Sequence, residues 1–412
     1  TDLLIGLPGA GTFILAFTSN GVTSYRNSAA IPSPFLGSIV FSPSFRLGES
    51  AAVVDLAQNP DASLGSGRVI IAGLPGYSAG GTDSGGAVIF ELYSGSPGIF
   101  WAPSTRALVP GHNGFNHPLV ANDKAGASVA ALGDVDGDTI ADVAIGIPGQ
   151  DALIVAFLFV DHTMKQSVWV AGQPGLGISP GSSFGFSMAL AGDITYDGVP
   201  EILVGAPGTG DVFIISLTAN GSISFAEQFA LGEDHGTSLA ALPKGVFAQS
   251  GFAFISGNPA ADGEDGEFVL VETGFSQPRN VAPFCTAASI GVTNSAACGA
   301  SVSRAVAFSN GDPGLVVMLP GTANPERLGK FGRHIVPMFR VDGDENQLVV
   351  AVSDHGYDHG SGATGRVQFM TLDTSDRFRI SESIATGLST LPDTGDKLDM
   401  AMRDMVYIGR FF

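Results

Sequence analysis

The sequence has few cysteines, tryptophans and basic residues, and it has no long apolar run. Two Cys and two Trp occur among 412 residues, and 19 Lys plus Arg stand against 39 Asp plus Glu, a net charge of −20. A chain this acidic, without a basic stretch, is repelled by phosphate backbones and by anionic membrane surfaces. No apolar run reaches the roughly 20 residues that a membrane span requires. The sequence therefore argues against nucleic acid as a partner and against membrane insertion by this segment.

The two cysteines, Cys285 and Cys298, enclose small polar and apolar residues in "CTAASIGVTNSAAC". We expect one loop-closing disulfide between them, because an acidic, Gly-rich and Lys-poor composition is typical of exported proteins. Two inert thiols in a cytosolic chain are the alternative. The start at Thr1, without a leader, favours a mature or excised ectodomain, and Asn220-Gly-Ser222 is a candidate glycosylation acceptor. We expect an extracellular or cell-surface protein.

Glycine and proline are abundant instead, with 57 Gly and 24 Pro, while hydrophobic residues in short runs make up 44% of the chain. Such a chain can bury a large core and still turn often, which favours an all-β repeat protein. The segments 126–149, "GASVAALGDVDGDTIADVAIGIPG", and 185–208, "GFSMALAGDITYDGVPEILVGAPG", align without a gap. Each has small residues, an Asp-rich turn and an apolar strand that ends in Gly-x-Pro-Gly. The two segments are therefore copies of one repeat unit.

The strand ending of this unit recurs along the whole chain with a period of about 60 residues. It is seen seven times, at GLPG from Gly6, GLPG from Gly73, GIPG from Gly146, GAPG from Gly205, GNPA from Gly257, MLPG from Met318 and SDHG from Ser353. Within one unit we predict four strands, at residues 127–132, 143–147, 153–160 and 167–171. Four short strands per repeat are typical of a β-propeller blade, with a sandwich or a solenoid as the alternative.

The predicted fold class is all-β, a single domain over residues 1–412 built as a seven-bladed β-propeller of four-stranded blades. The interval of 35 residues between Met318 and Ser353 is too short for four strands, so six blades are the alternative. The chain begins with a second-type strand, "DLLIGLPG", and ends with "DKLDMAMRDMVYIGRFF". We expect residues 1–30 and 397–412 to share one blade, in which the N- and C-terminal strands pair and leave no open edge.

These motifs together resemble the FG-GAP repeat of the integrin α-subunit head. The shared features are Ser-Phe-Gly or Gly-Ala-Ser before the first strand, the loop Asp-x-Asp-Gly-Asp-x-x-x-Asp, and Gly-Ala-Pro-Gly after the second strand. The resemblance is specific at 123–217, good at 1–17 and 47–92, and thin from residue 231 onward. It implies a seven-bladed propeller that binds calcium in loops between the first and second strands of a blade and recognises partners mainly with the opposite face.

The nine residues "DVDGDTIAD" at 134–142, called loop 1 below, form the first predicted metal site. Its ligands would be the carboxylates at positions 1, 3, 5 and 9 and the carbonyl oxygen at position 7, namely Asp134, Asp136, Asp138, Asp142 and Ile140. Hard oxygen donors in this number suit Ca²⁺, and four unneutralised carboxylates would destabilise the loop. A solvated acidic turn is the alternative, but it explains neither the regular spacing nor the buried strand that follows.

The nine residues "DITYDGVPE" at 193–201, called loop 2, form the second predicted calcium site. Its ligands would be Asp193, Thr195, Asp197, the carbonyl oxygen of Val199, and Glu201. Loop 2 has one carboxylate fewer than loop 1, which predicts weaker binding. A third segment, "VDGDENQ", offers Asp342, Asp344 and Asn346 but has no acid before its strand. Whether that segment binds metal is left open.

Long loops between second and third strands, and between one blade and the next, are predicted to gather on the face opposite the calcium loops, where they would form a recognition surface. The candidate contact residues are Tyr77, His112, Asn113, Phe115, Asn116, His117, His235, His355 and Tyr357. The segment "SDHGYDHGSG" also offers Asp354, His355, Asp358 and His359 for a transition metal or a polar ligand, with a solvated loop as the alternative.

The sequence gives no support for catalysis. It contains no Gly-x-Ser-x-Gly with identifiable triad partners, no His-Glu-x-x-His and no phosphate-binding Gly loop that ends in Lys. The favoured function is a calcium-stabilised extracellular binding module, adhesive or assembly-forming, for a protein or glycan partner. A polysaccharide-active lyase or hydrolase is the alternative, because propellers host both functions. A deep central pocket with paired His, Tyr or carboxylate groups would favour the enzyme.

Overall fold

The computed structural model describes residues 2–7, 12–19, 22–27, 42–54, 68–95, 98–101, 106–171, 176–242, 251–261, 266–275, 284–289, 300–309, 331–339, 348–354, 366–372, 378–385 and 405–409. These residues form β-strands, joined by turns and by two short 3₁₀ helices, Pro43–Phe45 and Pro148–Gln150. The described part of the chain contains no helix long and apolar enough to cross a membrane.

The strands of the described residues are, in chain order, β1 (Asp2–Leu7), β2 (Thr12–Ser19), β3 (Val22–Asn27), β4 (Ala51–Val54), β5 (Arg68–Gly73), β6 (Ala87–Gly95), β7 (Gly98–Trp101), β8 (Arg106–Leu108), β9 (Val129–Gly133), β10 (Asp142–Ile147), β11 (Ala152–Leu158), β12 (Met164–Val170), β13 (Ser187–Gly192), β14 (Glu201–Ala206), β15 (Asp211–Leu217), β16 (Ile223–Ala230), β17 (Ser238–Leu242), β18 (Gly251–Asn258), β19 (Glu267–Phe275), β20 (Phe284–Ser289), β21 (Ala300–Ser309), β22 (Phe331–Phe339), β23 (Leu348–Asp354), β24 (Arg366–Leu372), β25 (Phe378–Ala385) and β26 (Met405–Gly409).

The strands form six sheets, four of them with four strands each. In strand order these are sheet 1 (β26-β1-β2-β3), sheet 2 (β4-β5-β6-β7, with β8 also paired to β6), sheet 3 (β9-β10-β11-β12), sheet 4 (β13-β14-β15-β16-β20), sheet 5 (β17-β18-β19-β21) and sheet 6 (β22-β23-β24-β25). The all-β propeller is confirmed. The expectation of seven blades is not: the described residues form six sheets, and the strand ending at Met318 lies outside them.

Sheet 3 shows how the repeat unit becomes a blade. Its four strands pair in antiparallel fashion in chain order, at β9, β10, β11 and β12, close to the four predicted segments. Every residue of β10 and β11 is buried. Side chains alternate between the two faces of a strand, so burial on both faces means that the sheet is covered on both sides.

The hydrophobic cores lie between neighbouring sheets. Val143 and Ile145 of β10 pack with residues of sheet 2, whereas Ala144 of the same strand packs with residues of sheet 4. Further cores of the same kind join sheet 4 to sheet 5 and sheet 5 to sheet 6. This stacking confirms the prediction that the continuous apolar runs of the second strands are buried from two sides.

The chain ends meet in sheet 1. β26 pairs with β1 in antiparallel register, with Leu4 opposite Val406 and Ile5 opposite Met405. The N- and C-terminal strands therefore share one sheet, as predicted, whereas closure of the blades into a ring stays a prediction. The first strands of the six sheets also contact one another in sequence, and β26 contacts both β22 and β4. Cys298, one half of the predicted disulfide, lies outside the described part of the chain.

Candidate metal centre

Loop 1 is held in its shape by its own first aspartate. Asp134 follows β9, and its carboxylate accepts N–H groups from Gly137 at 2.8 Å, Asp138 at 3.0 Å and Thr139 at 2.8 Å. Two residues adopt left-handed backbone conformations, Gly137 with φ 79° and Thr139 with φ 74°. A β-branched residue rarely adopts this conformation, so Thr139 is held in a strained position.

This shape brings three of the four predicted carboxylates together. Oxygen atoms of Asp134, Asp136 and Asp138 all lie within 4.8 Å of one another. The ammonium group of Lys165, on β12, lies 2.7 Å from Asp136 Oδ2 and 2.8 Å from Asp138 Oδ2. Hydrogen bonding to these two carboxylates raises the pKa of Lys165 well above its usual range, so the side chain is a cation at every physiological pH. No local sequence pattern predicts this contact, because Lys165 follows Asp138 by 27 residues.

The fourth predicted carboxylate, Asp142, has a different role in this structure. Its side chain is 1% exposed, and its two oxygens accept the N–H groups of Val135 at 3.0 Å and Leu158 at 3.2 Å. Burial raises the pKa of Asp142 to about 7, although the two N–H groups oppose this shift. Asp142 therefore fastens the loop to β11 and is not part of the cluster formed by Asp134, Asp136 and Asp138. The side chain of Ile140 is partly buried against the core between sheets 2 and 3.

Loop 2 forms a cluster at the equivalent place in sheet 4. Oxygen atoms of Asp193, Asp197 and Glu201 lie within 4.8 Å of one another. The buried Glu201 accepts the N–H of Ile194 at 2.7 Å and the hydroxyl of Thr195 at 2.9 Å. Burial raises the pKa of Glu201, and the hydrogen bond from Thr195 opposes this shift. Thr195 thus contacts Glu201, another predicted ligand of loop 2. The side chain of Val199 is partly buried against the core between sheets 3 and 4.

The two loops share their backbone conformation. The fourth and sixth residues of each loop are left-handed, with φ 60° at Tyr196 and φ 89° at Gly198 in loop 2. Each loop has glycine at only one of these two positions, so glycine content alone does not reveal the common shape. Both loops join the first to the second strand of a sheet, and the two clusters therefore occupy equivalent positions in adjacent sheets.

The predicted recognition surface is not a single exposed patch. Phe115 is 0% exposed and His235 is 6% exposed, so the expectation that these two side chains contact a partner is wrong. Phe115 is buried in the core between sheets 2 and 3. His235 Nε2 lies 3.3 Å from Glu267 Oε1, and burial lowers the pKa of His235.

The remaining candidates differ in their surroundings. His117 lies against Trp169, with ring centroids 5.4 Å apart, and its Nε2 is 2.6 Å from Ser167 Oγ. Asn113 donates its side-chain N–H to the carbonyl oxygen of Ala107. The loop that carries these residues is therefore packed along β12. His112 and Asn116 are exposed, Tyr77 is partly exposed, and the candidates that lie outside the described residues are His355, Tyr357, Asp358, His359, Asp342, Asp344 and Asn346.

A cavity of about 490 Å³ is lined by the first strands of sheets 2 to 6. Its lining consists mainly of small side chains, and the ionisable residues of that lining are Arg46, Glu49, Lys124, Arg333 and His334. Arg46 Nε lies 3.3 Å from Glu49 Oε2. Among the described residues the cavity therefore holds no pair of carboxylates, the feature that would favour a glycan-cleaving enzyme.

Three segments have the Gly-x-Ser-x-Gly spacing of a hydrolase nucleophile, "GYSAG" at 76–80, "GISPG" at 177–181 and "GSSFG" at 181–185. The third segment lies between β12 and β13. Its central residue, Ser183, lies in a turn before β13, and Asp151 Oδ1 accepts its backbone N–H at 2.6 Å. A nucleophile elbow would place this serine between a strand and a helix. The segment instead joins two sheets, which does not support a nucleophilic role.

Sequence and structure comparisons bear on the family. No family model matches the chain. Integrin alpha-X of Mus musculus is 34% identical over 103 residues, which are 24% of this chain and 8% of that protein. Integrin alpha-E of Homo sapiens is 31% identical over 163 residues, which are 36% of this chain and 13% of that protein. The chain therefore covers 8% to 13% of the length of these two relatives.

Among solved structures, a protein from Lactobacillus plantarum superimposes with a TM-score of 0.45 at 10% identity and covers 93% of this chain and 82% of its own. Over the matched segments the chain is therefore similar to integrin α chains, and its described strands have the sheet arrangement of a β-propeller.

Proposed function

We propose that the chain is a calcium-stabilised extracellular binding module of an adhesive or assembly-forming protein. Its six sheets would close into one ring, with β26 as the inner strand of the closing blade. The observation that carries the proposal is the pair of carboxylate clusters, one in loop 1 and one in loop 2, at equivalent positions of adjacent sheets. A partner protein would be bound by loops on the opposite face, as the resemblance to the integrin head implies.

The donor sets fit calcium. Each cluster offers three carboxylates and no nitrogen or sulfur ligand, and Ca²⁺ takes 6 to 8 hard oxygen ligands in flexible geometry. In loop 1 the ion would be held by Asp134, Asp136 and Asp138, with the carbonyl oxygen of Ile140 as a further donor. In loop 2 it would be held by Asp193, Asp197 and Glu201, with Thr195 and the carbonyl oxygen of Val199 nearby. A bound ion would supply positive charge and fix the loop; the chain's own residues provide the cradle.

Calcium in these loops would act on the stability of the fold. Each loop enters a fully buried strand, β10 or β14, that packs against the sheets on either side. An ion that binds only the folded loop therefore stabilises the whole stack of sheets through mass action. Because calcium would fix loops 1 and 2, it would also hold sheets 3 and 4 in a constant arrangement. The loops at the opposite ends of these sheets would then keep constant positions.

Thermal unfolding with and without chelator tests the proposal. We expect excess EGTA to lower the melting temperature, and free calcium at 100 times the dissociation constant to stabilise the protein by about 2.7 kcal/mol. Asp138→Asn should remove one site and Asp197→Asn the other, because the loops share no ligand. Calorimetry counts the sites. An unchanged melting curve in chelator, together with no calcium binding by calorimetry, would show that the proposal is wrong.

A further inference from the structure

Loop 1 already holds a cation that belongs to the chain. Lys165 donates hydrogen bonds to Asp136 at 2.7 Å and to Asp138 at 2.8 Å, and these are two of the three clustered carboxylates. Its side chain is 32% exposed, so a path to solvent is open. The hairpin between β11 and β12 places Lys165 one residue after the start of β12, at the end of sheet 3 that carries loop 1.

Loop 2 has no such cation at the equivalent position. The last paired residues of the third and fourth strands are Leu158 and Met164 in sheet 3, and Leu217 and Ile223 in sheet 4. The residue after Met164 is Lys165, and the residue after Ile223 is Ser224. The hydroxyl of Ser224 lies 2.9 Å from that of Ser216. Ser224 is therefore the residue that occupies the position of Lys165 in a blade without this lysine.

We propose that Lys165 is an internal competitor for calcium, which occupies loop 1 when the metal is absent and must leave when the metal binds. This inference rests on the proposed calcium binding by loop 1. Three clustered carboxylates and one ammonium give loop 1 a formal charge of −2, whereas the three carboxylates of loop 2 give −3. The predicted order of calcium affinity is then the reverse of the order expected from the number of carboxylates in each loop. Loop 2 fills first, and loop 1 fills at higher calcium concentration.

The exchange needs only local movement. Asp134 keeps its three N–H donors and Asp142 keeps its own, so the loop backbone stays fixed while the lysine side chain turns toward solvent. In the metal-free loop, the ammonium group of Lys165 thus reduces the electrostatic repulsion between the carboxylates of Asp136 and Asp138. It also lowers calcium affinity, because its two hydrogen bonds are lost on exchange.

Calorimetry in an Asp197→Asn background, in which loop 2 is silenced, isolates loop 1. Lys165→Ser copies the residue of sheet 4 and should tighten calcium binding at least about fivefold. The same variant should melt at a lower temperature than its parent in EGTA. Lys165→Arg keeps the charge and is the matched control, with affinity close to that of the parent. Equal or weaker binding by Lys165→Ser would overturn the competition while leaving the proposed calcium site intact.

Amine labelling provides a second readout on the unmodified chain. Labelling of Lys165 by an acylating reagent, followed by peptide mass spectrometry, should accelerate when calcium is added, with Lys124 as the internal reference. A labelling rate that does not respond to calcium in a chain that binds calcium at loop 1 would also overturn the exchange. If no variant binds calcium in loop 1, this inference is wrong, and calcium binding by loop 2 in the parent chain then decides the proposed function separately.

Discussion

The hydroxyl of Ser128 donates a hydrogen bond of 2.6 Å to the carbonyl oxygen of Gly185, although the two residues belong to neighbouring blades. Each residue is part of a Gly-x-Ser motif at the start of a first strand. The same bond recurs between successive blades, at Ser50 and Gly126, Ser187 and Gly236, and Ser238 and Gly332. The serine of this small motif thus links one blade to the next by a hydrogen bond from its hydroxyl to a glycine carbonyl oxygen, and this hydrogen bond is called the latch below.

Removal of one latch should destabilise the fold measurably. Ser128 is 5% exposed, so Ser128→Ala leaves a buried carbonyl oxygen without this donor. We expect a loss of about 1 to 2 kcal/mol in the free energy of unfolding, measured by urea denaturation. Ser179→Ala, at an exposed position, is the control and should change stability by less than about 0.5 kcal/mol. Equal effects of the two substitutions would contradict the latch.

The strained residue in loop 1 leads to a prediction of opposite sign. Thr139 has φ 74°, a conformation that glycine adopts without cost, so Thr139→Gly should leave stability unchanged or raise it by up to about 1 kcal/mol. Ala141→Gly, two residues on and outside the left-handed region, should lower stability by about 0.5 to 1 kcal/mol. Parallel denaturation of both variants in EGTA separates backbone strain from any effect of metal. A loss at Thr139 as large as that at Ala141 would be the contrary result.

The arrangement of the strands was readable from the sequence because the repeat encodes contacts between blades. A methyl group at Gly146 would overlap the carbonyl oxygen of Gly185, and Gly205 meets Gly236 in the same way. The glycine near the end of the second strand in sheets 2 to 5 is therefore required by close packing, and its recurrence marks these blades. The mark at Met318 lies outside the described residues, which form six sheets and not the seven blades that the count of marks predicts.

The candidate site was only partly readable because its details depend on residues from different strands. The spacing of acids in loop 1 predicted the cluster. However, Asp142 accepts the N–H of Leu158 on β11, and Lys165 on β12 donates a hydrogen bond to Asp136. Neither relationship has a local signal. The same holds for Phe115, whose loop follows the edge of sheet 3 and buries the ring in the core.

The surroundings of His117 predict a dependence of stability on pH. Burial lowers the pKa of His117 below its ordinary value of about 6.5, so the folded protein keeps the ring neutral where the unfolded chain is protonated. The contribution of His117 to stability is therefore fully present above about pH 6.5 and is lost as the pH falls from there through the lower pKa of the folded state. Urea denaturation at pH 7.5 and pH 5, followed by tryptophan fluorescence, should show a smaller difference for His117→Gln than for the parent. His112→Gln, at an exposed position on the same loop, is the control, and equal slopes for all three proteins would contradict the prediction.

The pairing of β26 with β1 predicts what removal of the C-terminus does. Deletion of residues 397–412 strips sheet 1 of the strand that also contacts β4 and β22, so it exposes β1 and uncovers the neighbouring sheets. Each lost ladder hydrogen bond costs about 1 kcal/mol, and the exposed apolar surface adds to a total that rivals the 5 to 15 kcal/mol of a typical domain. We expect the truncated chain to aggregate or to lose cooperative unfolding, as judged by size-exclusion chromatography and thermal melts. A permutant that joins Phe412 to Thr1 through a short linker and opens elsewhere should remain folded, because the pairing of the two strands is kept. A soluble truncated chain with a sharp melt would mean that the sheets form an open stack, in which β26 is only a cap, and would remove the basis for a closed ring with two distinct faces.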